Sequence, residues 1–183
     1  NGGLGDSMQP GQWLATLVDD RIAFRVTFAS NPPIAENRYW RGPVLWDFDG
    51  KEWKRQTWDS LPFKFENKKI EDAAFQVVYS VSLEPTERQY LPVLDWPQTA
   101  QAPFFLTQEA SLYSDKPIQK LTQYNSESWT NQSPISTLND SQRRRALALP
   151  SGLNPRSVAL AKKWRRESMS DRVYIDRVLQ WIN

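Results

Sequence analysis

Apolar and polar side chains alternate along much of the chain. Over residues 21–28, Ile22, Phe24, Val26 and Phe28 fall on one face and Arg21, Arg25 and Thr27 on the other, the period-two pattern of a half-buried strand. The rhythm returns over residues 39–48, 53–58 and 75–83. In the last of these, Phe75, Val77, Tyr79, Val81 and Leu83 alternate with Ala74, Gln76, Val78, Ser80 and Ser82. Shorter strands are expected at 90–94, 104–107, 111–113 and 119–124. Asn31-Pro32-Pro33, Asp49-Gly50, Glu84-Pro85, Trp96-Pro97 and Lys116-Pro117 read as turns or breakers between them. Many short strands so punctuated fit a β-sandwich or an open barrel. The fold expected is mainly β, an antiparallel β-sandwich with C-terminal helices.

Two local features sharpen the picture. Asp49-Gly50 lies between two aromatic segments and offers the positive φ angles of a type I′ turn, which predicts a hairpin over residues 38–58. From residue 139 the period changes to that of helices. Asn154-Pro155 is a helix start, followed by Val158, Ala161 and Trp164 at helical spacing. Ser170 caps a second helix, on which Tyr174, Val178 and Trp181 with Ile175, Leu179 and Ile182 form a wide apolar stripe. That stripe either packs wholly on the β-domain or serves in part a domain beginning after Asn183.

Composition divides the chain at the same place. Residues 1–138 carry thirteen Lys+Arg against seventeen Asp+Glu, and residues 139–183 carry ten against four. We therefore expect a β-sandwich domain over 1–138 and a helical linker over 139–183. The whole chain of 183 residues has a formal charge of +2, too balanced for a protein whose main partner is nucleic acid. It contains no Cys and no His, which excludes a thiol nucleophile, an imidazole base and a zinc site of nitrogen and sulfur ligands. Acid–base work would fall to carboxylates, Lys or Tyr, and any metal would be a hard cation on oxygen ligands. No apolar run approaches the roughly 20 residues of a membrane span. The absence of an initial Met, and a last residue inside a helical pattern, lead us to expect a fragment of a longer protein.

Few residues suggest chemistry. Asp47-Phe48-Asp49-Gly50 has the opening of a calcium loop without its later ligands, so a plain hairpin is favoured. The nine Trp, six Tyr and eight Phe could stack on sugars, but Tyr39, Trp46, Phe48, Trp53 and Trp58 sit in strand-like alternation that favours core and cross-strand packing. Arg143-Arg144-Arg145 and Lys162-Lys163-Trp164-Arg165-Arg166 belong to no docking motif and read as solvated helical faces. Asp47, Asp59, Asp95 and Glu109 could converge as glycosidase carboxylates, though their spacing does not predict it. Gly2-Gly3-Leu4-Gly5 lacks the lysine of a phosphate loop and reads as a flexible lead-in. No catalytic, cofactor-binding or metal-binding residue is expected.

Three stretches together resemble one family. They are Leu4-Gly5-Asp6-Ser7-Met8-Gln9-Pro10-Gly11 followed by Ile22-Ala23-Phe24-Arg25-Val26; Tyr39-Trp40-Arg41-Gly42-Pro43-Val44-Leu45 running into Phe48-Asp49-Gly50-Lys51-Glu52-Trp53; and Leu149-Pro150 with Asn154-Pro155-Arg156. Tyr79-Ser80-Val81-Ser82-Leu83-Glu84-Pro85-Thr86 and Leu91-Pro92 fit as well. The pattern is similar to that of TgpA-type transglutaminase-like membrane proteins of bacteria. The resemblance implies an extracytoplasmic region lying after the membrane helices and before a core with a Cys-His-Asp triad. It implies a noncatalytic domain at the periplasmic face of the inner membrane, whose partner is the downstream core of the same chain, with the membrane reached through flanking helices. It transfers no catalytic position to this sequence. A glycan- or peptidoglycan-binding module is the competing reading.

Overall fold

The computed structural model describes residues 7–9, 22–55, 75–107, 109–130 and 139–182. The chain divides into two compact units, Asn1–Ala148 and Leu149–Asn183.

The first unit is built on one antiparallel sheet. β1 covers Ser7–Met8, β2 Phe24–Phe28, β3 Trp40–Arg41, β4 Asp47–Phe48, β5 Trp53–Lys54 and β6 Phe75–Leu83. β7 covers Tyr90–Leu91, β8 Val93–Leu94, β9 Trp96–Pro97, β10 Phe104–Leu106, β11 Leu112–Ser114 and β12 Thr122–Thr130. The main sheet runs β2-β6-β12-β9. β6 and β12 pair along their full length, from Thr122 opposite Leu83 to Thr130 opposite Phe75. β2 adds Phe24, Val26 and Phe28 opposite Leu83, Val81 and Tyr79. The predicted alternation holds: Val77, Tyr79, Val81 and Leu83 are buried while Gln76, Val78 and Ser80 face out.

A second layer covers the inner face. β7 and β8 flank Pro92, and each pairs in a different small sheet, β10-β11-β7 and β3-β8. Leu91, Val93 and Leu94 are fully buried and share one core with Val81, Leu83, Leu106, Leu112 and Ile118. Two hydroxyls join the layers. Tyr79 Oη accepts from the Leu94 amide at 2.7 Å, and Tyr124 Oη donates to the Pro92 carbonyl. The arrangement is the expected mainly antiparallel β-sandwich followed by C-terminal helices.

Several boundaries differ from the sequence reading, each for a local reason. The strand expected at 119–124 runs instead over Thr122–Thr130. Its inward positions beyond Tyr124 are Ser126, Ser128 and Thr130, all buried hydroxyl residues without an apolar rhythm. Trp96-Pro97, read as a breaker, is a short edge strand against Ser128 and Trp129, the position in a sheet where a missing N–H is tolerated. Of the hairpin expected over 38–58, the described part pairs β4 with β5, while Trp40 and Arg41 pair with Leu94 and Val93 instead and residues 56–58 lie outside the described residues. Its turn is not type I′. The Asp49 amide donates to the Glu52 carbonyl at 3.1 Å, and of the two residues between them only Gly50 has positive φ, 100°.

Three helices close the described chain. α1 spans Asp140–Ala146 and opens with a capping box, Asn139 accepting from the Gln142 amide while Gln142 accepts from the Asn139 amide. α1 falls in the same unit as the strands. α2 spans Pro155–Glu167 and α3 Asp171–Ile182, with Ser170 Oγ accepting from the Val173 amide. Asn154 precedes α2 as expected, but with φ 50° and no side-chain cap; Pro155 at the first turn sets the helical start. α2 and α3 pack through Trp164 and Trp181, whose rings meet edge to face at 5.6 Å. No helix among the described residues is long and apolar enough to cross a membrane.

Candidate functional site

Residues of the Tyr39–Gly42 and Phe48–Trp53 motifs and their partners form a frame of guanidinium groups, carboxylates and rings. Trp40 points into the core, edge to face with Phe24 at 5.1 Å and Tyr79 at 5.7 Å. Strand alternation therefore turns Arg41 the other way. Its Nε donates to the Asp95 carbonyl at 2.7 Å, its Nη1 to the Glu109 carbonyl at 3.4 Å, and its Cζ lies 4.2 Å from the Trp96 ring centroid. Burial lowers the Arg41 pKa, an effect opposed by the nearby charge of Asp95. Tyr90 Oη donates to the Arg41 carbonyl at 2.6 Å, and Ser111 Oγ to that of Gly42 at 3.2 Å.

A second guanidinium sits beside the hairpin. Arg145 of α1 reaches both oxygens of Asp47 on β4 and lies over Trp46, 5.5 Å from its ring centroid. Trp46 Nε1 donates to Glu109 Oε1 at 3.1 Å. Arg55 stacks over Tyr113 at 3.7 Å, and Tyr113 meets Tyr90 edge to face.

The hairpin tip is held by its own carboxylate. Asp49 Oδ1 accepts from the amides of Lys51 and Glu52, and Oδ2 from Lys54 Nζ at 2.9 Å. The Lys54 hydrogen bond and these two amides hold Asp49 well below the usual carboxylate range. Phe48 stacks on Trp53 at 4.9 Å, and β1 pairs Met8 with Trp53 and Ser7 with Lys54. A hydrogen bond from Ser7 is the largest influence lowering the pKa of Glu52.

The candidates from sequence can now be placed. Asp47 and Asp49 sit on a hairpin with cationic and amide partners, and Glu109 accepts from Trp46. Asp95 takes positive φ, 40°, and serves through its backbone, its amide donating to the Tyr39 carbonyl at 2.7 Å. Asp59 and Trp58, like Gly2-Gly3-Leu4-Gly5, lie outside the described residues. The core role expected for the aromatic set is only partly met: Trp46, Phe48 and Trp53 are half-buried, and Tyr39 is 61% exposed. Trp40, which alternation places inward, does the core packing instead. Arg143 and Arg144 face solvent as expected, but Arg145 turns inward to Asp47. Lys162, Lys163, Arg165 and Arg166 form the expected exposed face around a half-buried Trp164.

Hydrogen bonds, an ion pair and ring contacts tie the elements of this frame together. Two carboxylates of the hairpin, Asp49 and Glu52, are held below their ordinary pKa by hydrogen bonds. Among the described residues no three His, Cys, Asp or Glu side chains are grouped to hold a metal ion.

Comparison with known proteins decides the family. The sequence profile of the TgpA N-terminal domain matches residues 1–134. The chain belongs to the TgpA N-terminal domain family. A curated relative, the protein-glutamine gamma-glutamyltransferase of Pseudomonas aeruginosa, is 29% identical over 185 residues, covering 99% of this chain and 27% of the relative. The crystal structure of the periplasmic domain of TgpA from Pseudomonas aeruginosa superposes with a TM-score of 0.82 at 28% identity, over 97% of this chain and 61% of the other. The same periplasmic domain bound to ethylmercury gives a TM-score of 0.80 at 28% identity, over 97% and 62%. This TgpA N-terminal domain chain thus spans about a quarter of its curated relative and less than two thirds of either solved chain. Within the TgpA family pattern, Tyr-Trp-Arg-Gly and Phe-Asp-Gly-x-x-Trp now have physical roles: the first links core to frame, the second builds the hairpin tip.

Proposed function

We propose that this chain is the noncatalytic periplasmic domain of a membrane-anchored transglutaminase-like enzyme, and that it supports or positions a Cys-His-Asp core in the same parent protein. The observation that carries the reading is the superposition of nearly all of this chain on part of a longer TgpA periplasmic domain. The absence of Cys and His from the sequence supports it, since a thiol mechanism would have to draw its nucleophile and base from elsewhere. So does the frame around Arg41 and Arg145, where carboxylates serve cohesion.

The parent is a transglutaminase-like acyltransferase or a cysteine-type amidohydrolase at the periplasmic face of the bacterial inner membrane, reached through flanking membrane helices. The sandwich is the support, and the helical segment beginning at residue 139 leads to the core. An acyl-transfer site gains rate from a positioned donor and a sheltered thiolate, and a rigid neighbour supplies both.

The test is to express the parent protein with and without residues 1–138 and to follow incorporation of a primary amine into glutamine-containing peptides. A large loss of turnover on deletion supports the reading. Unchanged turnover rejects it, as does robust turnover by the isolated 183-residue chain.

A further inference from the structure

β2 is the outermost strand of the main sheet. Among the described residues it pairs with β6 on one side and with no strand on the other. The Ala29 amide donates to the Val78 carbonyl at 2.9 Å, and the Glu84 amide to the Ala23 carbonyl at 3.1 Å. Hydrogen-bonding direction alternates along an antiparallel strand. Ala23, Arg25, Thr27 and Ala29 therefore turn their N–H and C=O groups toward β6, and Phe24, Val26 and Phe28 turn theirs away, to an open edge. The side chains of Phe24, Val26 and Phe28 face the core yet are only half-buried, and Ile22, 54% exposed, continues the same apolar row. The devices that usually blunt such an edge are missing from Phe24–Phe28. The span has no Pro, its register runs without a bulge, and its one charge, Arg25, is neutralised by Glu84 at 2.8 Å.

We infer that this edge is a self-association surface, on which β2 of a second copy of the chain pairs antiparallel and joins two four-stranded sheets into one. Ala23-Phe24-Arg25-Val26-Thr27-Phe28-Ala29 reads almost alike in both directions. A two-fold axis through Val26 sets this residue against its own counterpart, Phe24 against Phe28, Ala23 against Ala29 and Arg25 against Thr27. Every open amide and carbonyl of Phe24, Val26 and Phe28 then gains a partner. Aromatic meets aromatic on the inner face, and the two Arg25 side chains are staggered rather than opposed, which avoids a like-charge contact. Only an extended polypeptide repeats donors and acceptors at the spacing of this edge, and the matching side-chain order makes a second copy the occupant. A single edge pair is small beside a standard interface, so the dimer belongs to the weak, concentration-dependent class.

The full chain has no cysteine of its own, so introduced thiols report the register. Positions 25 and 27 of opposite copies form a non-hydrogen-bonded pair with Cα atoms about 4.5 Å apart, within disulfide reach. Like positions are diagonal neighbours at about 7–8 Å, beyond it. Arg25→Cys and Thr27→Cys variants are mixed at millimolar concentration under mild oxidation, and the linked products are separated by mass. The disulfide joining 25 to 27 is expected to exceed the two like-with-like products by roughly tenfold. Equal yields of the three products overturn the inference, as does a yield no higher than that of Asn125→Cys, an exposed position on the central strand β12. Val26→Pro supplies a second arm, because the amide it removes points away from β6 and serves no bond within the sheet. The disulfide joining 25 to 27 should fall at least tenfold in its presence, with circular dichroism unchanged. Linkage that survives Val26→Pro in an intact sheet overturns the inference. Sedimentation of the unaltered chain decides independently of any variant: a dimer fraction that grows with concentration supports the pairing, and a chain that stays monomeric up to millimolar concentration overturns it.

Discussion

Arg145 grips Asp47, 98 residues earlier in the chain, through two parallel hydrogen bonds of 2.9 and 3.1 Å. The pair fixes α1 against the β4–β5 hairpin, and both groups are partly buried, so removing one strands the other in a poorly solvated place. We expect Arg145→Ala and Asp47→Ala each to lower the unfolding free energy by about 1–2 kcal/mol in urea titrations. The double substitution should cost less than the two singles together, by about 1 kcal/mol of coupling. Faster amide exchange over Asp140–Ala146 should accompany either change. Strict additivity would mean that the contact contributes nothing to stability.

Tyr79 is the polar pin of the core. Its ring meets Trp40 and Phe28, while its hydroxyl lies 2.9 Å from Ser128 Oγ and accepts from the Leu94 amide. Tyr79→Phe keeps the rings and removes the acceptor, leaving a buried N–H of β8 without its partner. The cost should be about 1–3 kcal/mol by denaturant unfolding, with Leu94 and its neighbours losing exchange protection first.

How much of this was legible depended on which physical term shaped each element. β2 and β6 announced themselves because one face is apolar and the other polar, and burial alone sets such strands. The second half of β12 did not, because its inner face is Ser126, Ser128 and Thr130, whose hydroxyls mimic the composition of a loop. The change to helical period at residue 139 was legible, but the capping box of Asn139 and Gln142 was not anticipated. Nor was the Arg145–Asp47 contact: two opposite charges a hundred residues apart carry no local signature, and only the folded sheet brings them together. Family motifs located the frame, yet its roles for Arg41 and Trp40 emerged only when alternation sent one side chain out and the other in.

Arg41 tests whether the frame depends on charge or on shape. Its planar group bonds two carbonyls and lies flat enough to meet Trp96 at 4.2 Å, which an ammonium cannot reproduce. Arg41→Lys should therefore destabilise by about 2 kcal/mol, nearly as much as Arg41→Ala. In thermal unfolding that is a drop of about 4–8 °C. A lysine variant that melts like the parent chain would show that the positive charge alone suffices.

The hairpin tip should respond to acid through Asp49. Its folded pKa lies below the ordinary value of 3.8, so its contribution is present above that value and lost as pH falls toward the folded one. Asp49→Asn keeps an oxygen for the amides of Lys51 and Glu52 but no longer titrates. The variant should show a shallower loss of hairpin amide protection between about pH 5 and pH 2. An identical acid limb in the two proteins would assign the titration to other carboxylates.

On the alkaline side three phenols of raised pKa act together. Burial is the first cause raising Tyr79, Tyr90 and Tyr124 above the ordinary 10.0, so each stays neutral in the fold while its unfolded counterpart ionises. The sign follows from linkage. For a raised pKa, the stabilising contribution is full below the unfolded value and is lost as pH climbs toward the folded one. Stability should accordingly hold up to about pH 9 and then fall by as much as about 4 kcal/mol per pH unit once all three unfolded phenols titrate. Phenolate absorbance should rise for these three only as the chain unfolds, in step with loss of circular dichroism. Tyr90→Phe should flatten the alkaline limb by about one third while sacrificing the bond to the Arg41 carbonyl. Phenolate signals that develop fully before unfolding would mean that these hydroxyls are open to solvent in the native sandwich.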